Sequence, residues 1–321
     1  MTDHPISIRR ACPICNNPGH YAYTGKDMLC DLPGEFIYAE CDQCGAVYQD
    51  PMPTLAMIAS FYPDNYDPYK QDKTKGKNAL EKSVLQTIYG YQHLHTLIPG
   101  WFGKCAGLIG YRDSIPFTEG GRLLDIGCGG GNFLLSMQKL GWQAEGVEFN
   151  ETAVKTCQQA GLNVYHGDLA QAAFEDNTFD VVTARHVIEH IPDPVSFASE
   201  IFRILKPGGL MVLKTPNSLA LARHWFGTNW FANDVPRHLI LFSMKTLQFL
   251  AKKHGFKGKT IRTFSTPKII LNSWDYLRKT KGKPSKKRKS RRLLAKIYVA
   301  AAAISGRGDE IFSIFQKPLV K

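Results

Sequence analysis

The sequence has no long apolar run. Nowhere among its 321 residues do about 18 apolar residues stand uninterrupted, so no membrane-spanning helix is expected. The opening stretch, MTDHPISIRRACPIC, has no apolar core of the kind that directs secretion, and a cytoplasmic location is the expectation. There is no internal repeat, and 44% hydrophobic with 11% aromatic residues excludes a chain that is disordered for most of its length. Acidic residues are missing from one place: residues 278–292, RKTKGKPSKKRKSRR, hold ten Lys and Arg and no Asp or Glu. The net charge of +12 therefore belongs mostly to this tract, since the rest has 30 basic against 28 acidic residues. A nearly neutral body argues against nucleic acid as the partner.

Eight cysteines are present, and in a reducing compartment thiols or metal ligands are expected over disulfides. Cys12-x-x-Cys15 and Cys41-x-x-Cys44 form two knuckles 25 residues apart. Each can offer two thiolates, and four complete the tetrahedron that a structural Zn2+ prefers. Gly45 suits the tight turn after the second knuckle, and Cys30, between the two pairs, reads as a buried apolar residue. Two redox-active pairs or a metal-free remnant are the alternatives.

The predicted organisation has three parts: a zinc-ribbon-like module of four cysteines at 1–50, a helical linker or cap at 51–118 with a helix through 79–98, and an α/β domain at 119–321. In the last part, strand-like runs RLLDIG, AEGVE, LNVYHGD, FDVVTAR, LMVLKTP and KTIRTF alternate with helical patterns at 132–140, 151–160, 194–205 and 243–254. Alternation of this kind predicts a mostly parallel, Rossmann-like sheet. A basic insertion at 268–305 precedes a final strand, EIFSIFQK, which the resemblance described below implies is antiparallel.

The strongest chemical signal is Leu123-Leu124-Asp125-Ile126-Gly127-Cys128-Gly129-Gly130-Gly131-Asn132, a buried strand entering a glycine turn and then a helix. Such a turn lets a ligand lie against the main chain. A dinucleotide fingerprint needs glycine at position 132, where Asn stands. With Asp125 ahead of Gly127, Gly129 and Gly131, the pattern resembles motif one of the class I S-adenosylmethionine methyltransferases.

The resemblance implies S-adenosylmethionine as cofactor, with Asp125 holding the methionine ammonium, or pinning the turn, or both. It also implies Glu148 accepting from the ribose hydroxyls, and Asp168, followed by Leu169, accepting from the adenine amino group. Phe179-Asp180-Val181-Val182 is read as the fourth strand and Leu205-Lys206-Pro207-Gly208-Gly209 as the turn before the fifth. Arg185 and His186, at the end of the fourth strand, are expected beside the adenosine or the sulfonium.

Methyl transfer to a hydroxyl calls for positioning and for a group that takes the proton. Candidates stand in Arg185-His186-Val187-Ile188-Glu189-His190-Ile191-Pro192-Asp193-Pro194 and in Trp230-Phe231-Ala232-Asn233-Asp234-Val235-Pro236-Arg237-His238-Leu239. His238 is the first choice for base, with His190 and Glu189 behind it; packed structural histidines are the alternative. Arg237 is read as pairing either an anionic acceptor or Asp234.

CPIC, CDQCGAVYQDPMPT, FYPDNY, HVIEHIPDP, LKPGGLMVLKTPN, DVPRHLILFS and GRGDEIFSIFQKP together resemble a branch of the superfamily found among sugar methyltransferases of deoxysugar and surface-polysaccharide biosynthesis. Some members carry an N-terminal zinc-binding domain. The expected acceptor is accordingly a small molecule or glycan, with a sugar hydroxyl first. O-methylation of a quinone precursor or another aromatic molecule is the alternative, because the central motifs also resemble quinone-pathway methyltransferases. RNA methylation and cofactor binding without turnover are further readings. RNA is disfavoured by Ala184-Arg185-His186-Val187, which stands where base-amino methylation would put a Pro-Pro-aromatic motif.

Residues 293–304, LLAKIYVAAAAI, predict a helix too short to span a bilayer. The expectation is a surface helix packed on the sheet behind a solvated basic loop, since no aromatic-rich apolar face accompanies the charges. Peripheral contact of 278–304 with an anionic membrane, at its inner face, is the alternative.

Overall fold

The computed structural model describes residues 11–62, 77–109, 114–283 and 291–319. Residues 63–66 of FYPDNY and residues 284–290 of the basic tract lie outside them. The chain divides into two compact units. One comprises 1–66, 186–199 and 213–315; the other comprises 67–185, 200–212 and 316–321.

In the second unit lie β4 (Arg122–Ile126), α4 (Asn132–Lys139), β5 (Gln143–Glu148), α5 (Glu151–Gln159), β6 (Val164–His166) and β7 (Phe179–Arg185). β4 pairs in parallel with both β5 and β7, and β5 in parallel with β6. Leu123, Leu124, Val181 and Val182 are buried, as expected for central strands covered on both faces. Asn150 caps α5 by accepting from the amide of Ala153.

α6 (Pro194–Ile204) leads into β8 (Leu205–Pro216), one strand whose first part belongs to the second unit and whose last part belongs to the first. The expected turn at 205–209 is thus already strand. Gly208 adopts φ +84, which lets the backbone bend there without breaking the ladder.

β10 (Lys257–Phe264) and β11 (Glu310–Gln316) complete a seven-stranded sheet in the order β10-β11-β8-β7-β4-β5-β6. β11 runs against β8: Gly208 and Gly209 exchange hydrogen bonds with Lys317, while the amide of Asn217 donates to the carbonyl of Asp309. The fold is the expected Rossmann-like α/β sheet with a last antiparallel strand.

Also in the second unit, α2 (Ala79–Tyr89) opens on a capping box between Asn78 and Glu81. It stops at Gly90, φ +81, and not at 98 as the periodicity predicts. α3 (Gly100–Ile109) follows.

In the first unit the cysteine segment forms β1 (Gly19–Gly25), β2 (Phe36–Cys41) and β3 (Val47–Gln49), an antiparallel meander. It does not stand apart. β3 pairs with β9 (Ile240–Leu241), so a four-stranded sheet β1-β2-β3-β9 joins the N-terminal segment to residues just after His238.

α7 (Leu221–Phe226), α8 (Met244–Lys253), α9 (Pro267–Thr280) and α10 (Arg292–Ile304) complete this unit. Its core gathers Tyr38 and Val47 with Phe226, Trp230, Leu241, Ile270, Tyr298 and Ala302. No helix among the described residues is long and apolar enough to cross a membrane.

Candidate active site

In the second unit the chain leaves β4 through a loop in which Gly127, Gly129 and Gly131 have φ +66, +53 and +79. The alternate spacing of the motif is thereby explained, because every second residue is left-handed, at a cost of about 1–2 kcal/mol for a residue with a Cβ. At Gly131 a Cβ would also sit 2.3 Å from Leu162 Cδ1 and 2.9 Å from Cys157 Sγ. Cys128 is buried in the loop.

Glu148 at the end of β5 secures this loop: Gly129 N donates to its Oε2 and Asn150 N to its Oε1, each at 2.8 Å. Asp125 is buried at 3% exposure and accepts from the hydroxyl of Thr183 on β7. Burial pushes its carboxyl up to about 6, against the pull of Arg185 and Thr183. Pinning of the turn by a carboxylate thus falls to Glu148. Asp168 is exposed and closes a turn with Gln171, accepting from its amide at 2.8 Å, while Leu169 is buried beside it. Arg185 stacks over Phe133, 4.4 Å from the ring centroid. Phe149, 73% exposed directly after Glu148, is a candidate that sequence reasoning missed. Its signal was an aromatic residue following the acid at the end of the second strand.

The first unit gathers a histidine–carboxylate cluster. Glu189 is fully buried; Thr215 donates to its Oε2 at 2.9 Å, and its Oε1 faces His186 Nδ1 at 3.4 Å and His238 Nε2 at 4.0 Å. Burial opposes its charge, but the neighbouring His186 holds it down to about 2, so it is a carboxylate at neutral pH.

His186 has the left-handed φ of +57 and places Nε2 2.9 Å from Glu310 Oε1, which Lys214 also approaches at 3.3 Å. Its side chain is 43% exposed, and against the partial desolvation it suffers the two carboxylates raise it to about 9, so it is an imidazolium. Strain of this kind in a non-glycine residue persists only where surroundings enforce it. Here they are Glu189 and Glu310. Sequence reasoning missed Glu310 and Thr215 as members of this cluster, although both stand within quoted motifs, because their partner Glu189 or His186 is remote in sequence.

His238 lies 2.9 Å through Nδ1 from the carbonyl of Ala232. A carbonyl only accepts, so Nδ1 carries a hydrogen and Nε2 is the nitrogen left for another partner. It faces two carboxylates, Glu189 and Asp234, the latter at 3.9 Å. His190 packs edge-on against His238 with centroids 4.8 Å apart, and its Nδ1 reaches the Arg237 carbonyl at 2.9 Å and the Tyr62 hydroxyl at 2.8 Å. Burial, and then His238, depress its pKa to about 4, which leaves it neutral. The three side chains Glu189, His190 and His238 have one ligand atom each within 4.8 Å of one another, close enough for a divalent cation to bridge. The structure thus brings His238, His190, Glu189 and His186 together, while Asp125, Glu148 and Asp168 line the ends of β4 to β6 in the second unit.

Arg237 does not face an acceptor. It is fully buried and forks onto Asp27 with bonds of 2.9 and 2.8 Å, while also donating to Asp234 at 3.0 and 2.8 Å. Tyr38 of β2 donates to the carbonyl of His238 at 2.9 Å. The N-terminal segment therefore fixes the backbone on either side of the histidine.

The four knuckle cysteines place their sulfurs within 4.8 Å of one another, with Cys12 and Cys44 3.6 Å apart and Cys15 and Cys41 3.3 Å apart. Tetrahedral Zn2+ with bonds of about 2.3 Å sets sulfurs about 3.8 Å apart, so the set fits the metal. Asn16 and Gly45 take left-handed φ of 61 and 71 after the two knuckles, and the amides of Ile14 and Cys44 point at Cys12 and Cys41 sulfur. Cys30 is half-buried and outside the cluster.

Residues 109–260 match the family model described as a methyltransferase domain, and this span of the chain is such a domain. Among curated proteins, a ubiquinone biosynthesis O-methyltransferase of Maricaulis maris is 40% identical over 140 residues, 41% of this chain and 54% of that protein. One from Methylococcus capsulatus is 36% identical over 105 residues, 30% of this chain and 44% of the relative. The chain thus spans about half the length of the curated relatives it matches. Among solved structures, a SAM-dependent methyltransferase from Archaeoglobus fulgidus superposes with TM-score 0.45 at 21% identity, covering 67% of this chain and 91% of that one.

Proposed function

We propose that this protein is an S-adenosylmethionine-dependent O-methyltransferase whose acceptor is a hydroxyl on an aromatic ring, of the quinone-precursor class. The observation that carries the reading is the setting of His238: an imidazole whose Nδ1–H is tied to a carbonyl and whose Nε2 faces Glu189 and Asp234. Such a group is built to receive a proton, since the imidazolium formed is stabilised by two carboxylates.

When bound, S-adenosylmethionine would supply an activated methyl group to the acceptor oxygen, its sulfur leaving with the electron pair of the broken C–S bond. Nε2 of His238 would take the hydroxyl proton. Glu148 would take the ribose, Asp168 the adenine amino group, and Asp125 the methionine ammonium, with the glycine loop lying along the rest. Arg185 and Phe149 would border the adenosine. Glu189 and His190 position His238, and His186 with Glu310 keeps Glu189 in place. The cysteine set would hold Zn2+ as a structural ion.

Two considerations support an aromatic acceptor. The curated relatives are named for O-methylation in ubiquinone biosynthesis. A phenol, with a pKa near 10 in the tyrosine example, also yields its proton to imidazole far more readily than an alkyl hydroxyl does. A sugar hydroxyl, first among the expectations, is the second reading. It is favoured by the cysteine segment, which resembles that of sugar-modifying enzymes and is built into the unit that carries His238.

The test is transfer of a labelled methyl group from S-adenosylmethionine to a panel of ortho-dihydroxybenzoates and of nucleotide sugars. Methylation of the phenols is expected, and His238→Ala should lower turnover by about 10²–10⁴ while leaving cofactor affinity unchanged. Methylation of the sugars alone would move the reading to the second acceptor.

A further inference from the structure

We propose that the outer face of α10, with Trp225 beside it, docks this protein on the surface of an anionic lipid bilayer. Helix α10 is apolar on two opposite sides. Ala295, Tyr298 and Ala302 are buried against the core of the first unit, as an ordinary surface helix requires. On the far side, where a surface helix carries polar residues, Leu293, Ile297 and Ile304 stand 68%, 57% and 89% exposed. With Ala300 they follow the spacing i, i+4, i+7, i+11, which is one continuous stripe. Leu294, 53% exposed, flanks it.

The sequence alone shows no aromatic residue on this face. Folding supplies one: Trp225 of α7 meets Tyr298 of α10 edge to face at 5.6 Å and is itself 56% exposed. An exposed indole next to an apolar stripe is the arrangement that settles at the headgroup level.

Charge selects the occupant. From Tyr276 to Gly308 the chain has twelve Lys and Arg and no Asp or Glu. Of these, Lys281, Lys283, Arg292 and Lys296 are exposed in the described residues, the last two on α10 itself. A second copy of this surface would bring cations against cations, whereas an anionic leaflet attracts each of them. At 13 residues α10 is too short to cross the membrane, so it lies in the interface with its lysine and arginine heads toward phosphate. The inference does not depend on the acceptor, although a surface position suits an acceptor carried on a lipid.

Co-sedimentation of the full chain with phosphatidylcholine vesicles holding about 30% phosphatidylglycerol, and with phosphatidylcholine alone, tests the proposal. Binding is expected to the anionic vesicles only, and to fall by about tenfold or more between low and physiological salt. The triple variant Leu293→Ser, Ile297→Ser, Ile304→Ser should lose about tenfold in binding, as should Lys281→Gln with Lys283→Gln, Arg292→Gln and Lys296→Gln. Both variants change exposed side chains, and unchanged circular dichroism and cofactor affinity identify a folded protein. Equal binding to both vesicle types, binding untouched by the triple variant, or no sedimentation would overturn the proposal. So would a dimer on size exclusion that the triple variant dissolves, which would assign the stripe to a second copy.

Discussion

The glycine loop of the second unit and the histidine cluster of the first differ in how they are assembled. The loop and the carboxylate that secures it are 19 residues apart, as Gly129 and Glu148 show. The cluster is drawn from β7's exit, the end of β8, the 234–238 segment and β11, and it is braced from across the chain. Arg237 and Asp27 are 210 residues apart, and Tyr38 and His238 are 200 apart. A local site can be carried as one motif on one strand and helix. A dispersed one needs the whole unit folded before its pKa values and tautomers exist, so damage far from the histidines in sequence should disable it while sparing the loop.

The sharpest break is at the cysteines. Purified protein is expected to hold one zinc per chain by atomic emission, and Cys12→Ser with Cys44→Ser should remove it and destabilise the first unit by several kcal/mol. Residues 11–49 should then become the first cleaved in limited proteolysis. A wild-type protein without metal refutes the zinc assignment.

Next in size is the buried ion group. Arg237→Met leaves Asp27 and Asp234 without their cation, and a loss of about 3–5 kcal/mol in urea unfolding is expected. At low temperature, where the variant is still folded, S-adenosylmethionine affinity by calorimetry should be close to that of wild type while turnover falls. An equal loss in affinity and turnover would erase the distinction between the two regions.

The smallest effect concerns Asp125 alone. Its carboxyl titrates at about 6 in the folded protein, above the 3.8 of an unperturbed aspartate, because burial disfavours its charge. The sign follows: between about pH 4 and pH 6 the unfolded chain loses this proton before the folded one, so stability falls as pH rises through that window. Above it a penalty on the order of 3 kcal/mol persists. Asp125→Asn should therefore raise the melting temperature of the free protein at pH 7. If the ionised form receives the cofactor ammonium, wild-type affinity weakens as pH drops through about 6, and the variant is weak and flat across the range.

Much of the cofactor region is legible in sequence for a physical reason. Alternate glycines at 127, 129 and 131 are demanded by three left-handed residues in a row of five, and no other residue type satisfies that cheaply. Buried strands such as β4 and β7 announce themselves as short runs of Leu, Ile and Val. The helix expected through 79–98 ends early because Gly90 terminates it, and periodicity counts apolar residues without weighing a C-cap. The strand beginning at Leu205 was obscured by its Pro-Gly-Gly, which reads as a turn in isolation but is kept in the ladder by Lys317.

The histidine cluster was only half legible. His238, His190 and Glu189 stand out as titratable residues near strand ends, but nothing local marks Glu310, Thr215 or Asp27 as their partners, because the residues they meet are remote in sequence. Nor does the order of residues show that Arg237 spends its guanidinium on Asp27, or that Trp225 stands beside α10.

By itself, then, the sequence determined the α/β sheet, the glycine turn with its acidic followers, the two cysteine knuckles and the confinement of positive charge to one tract. These are encoded by neighbours within a few tens of residues. Tertiary structure decided which nitrogen of His238 is tied to a carbonyl, that Glu189 is ionised although buried, and that the N-terminal segment braces the histidines. Those properties depend on burial and on electrostatic partners that only the folded chain brings within a few ångströms.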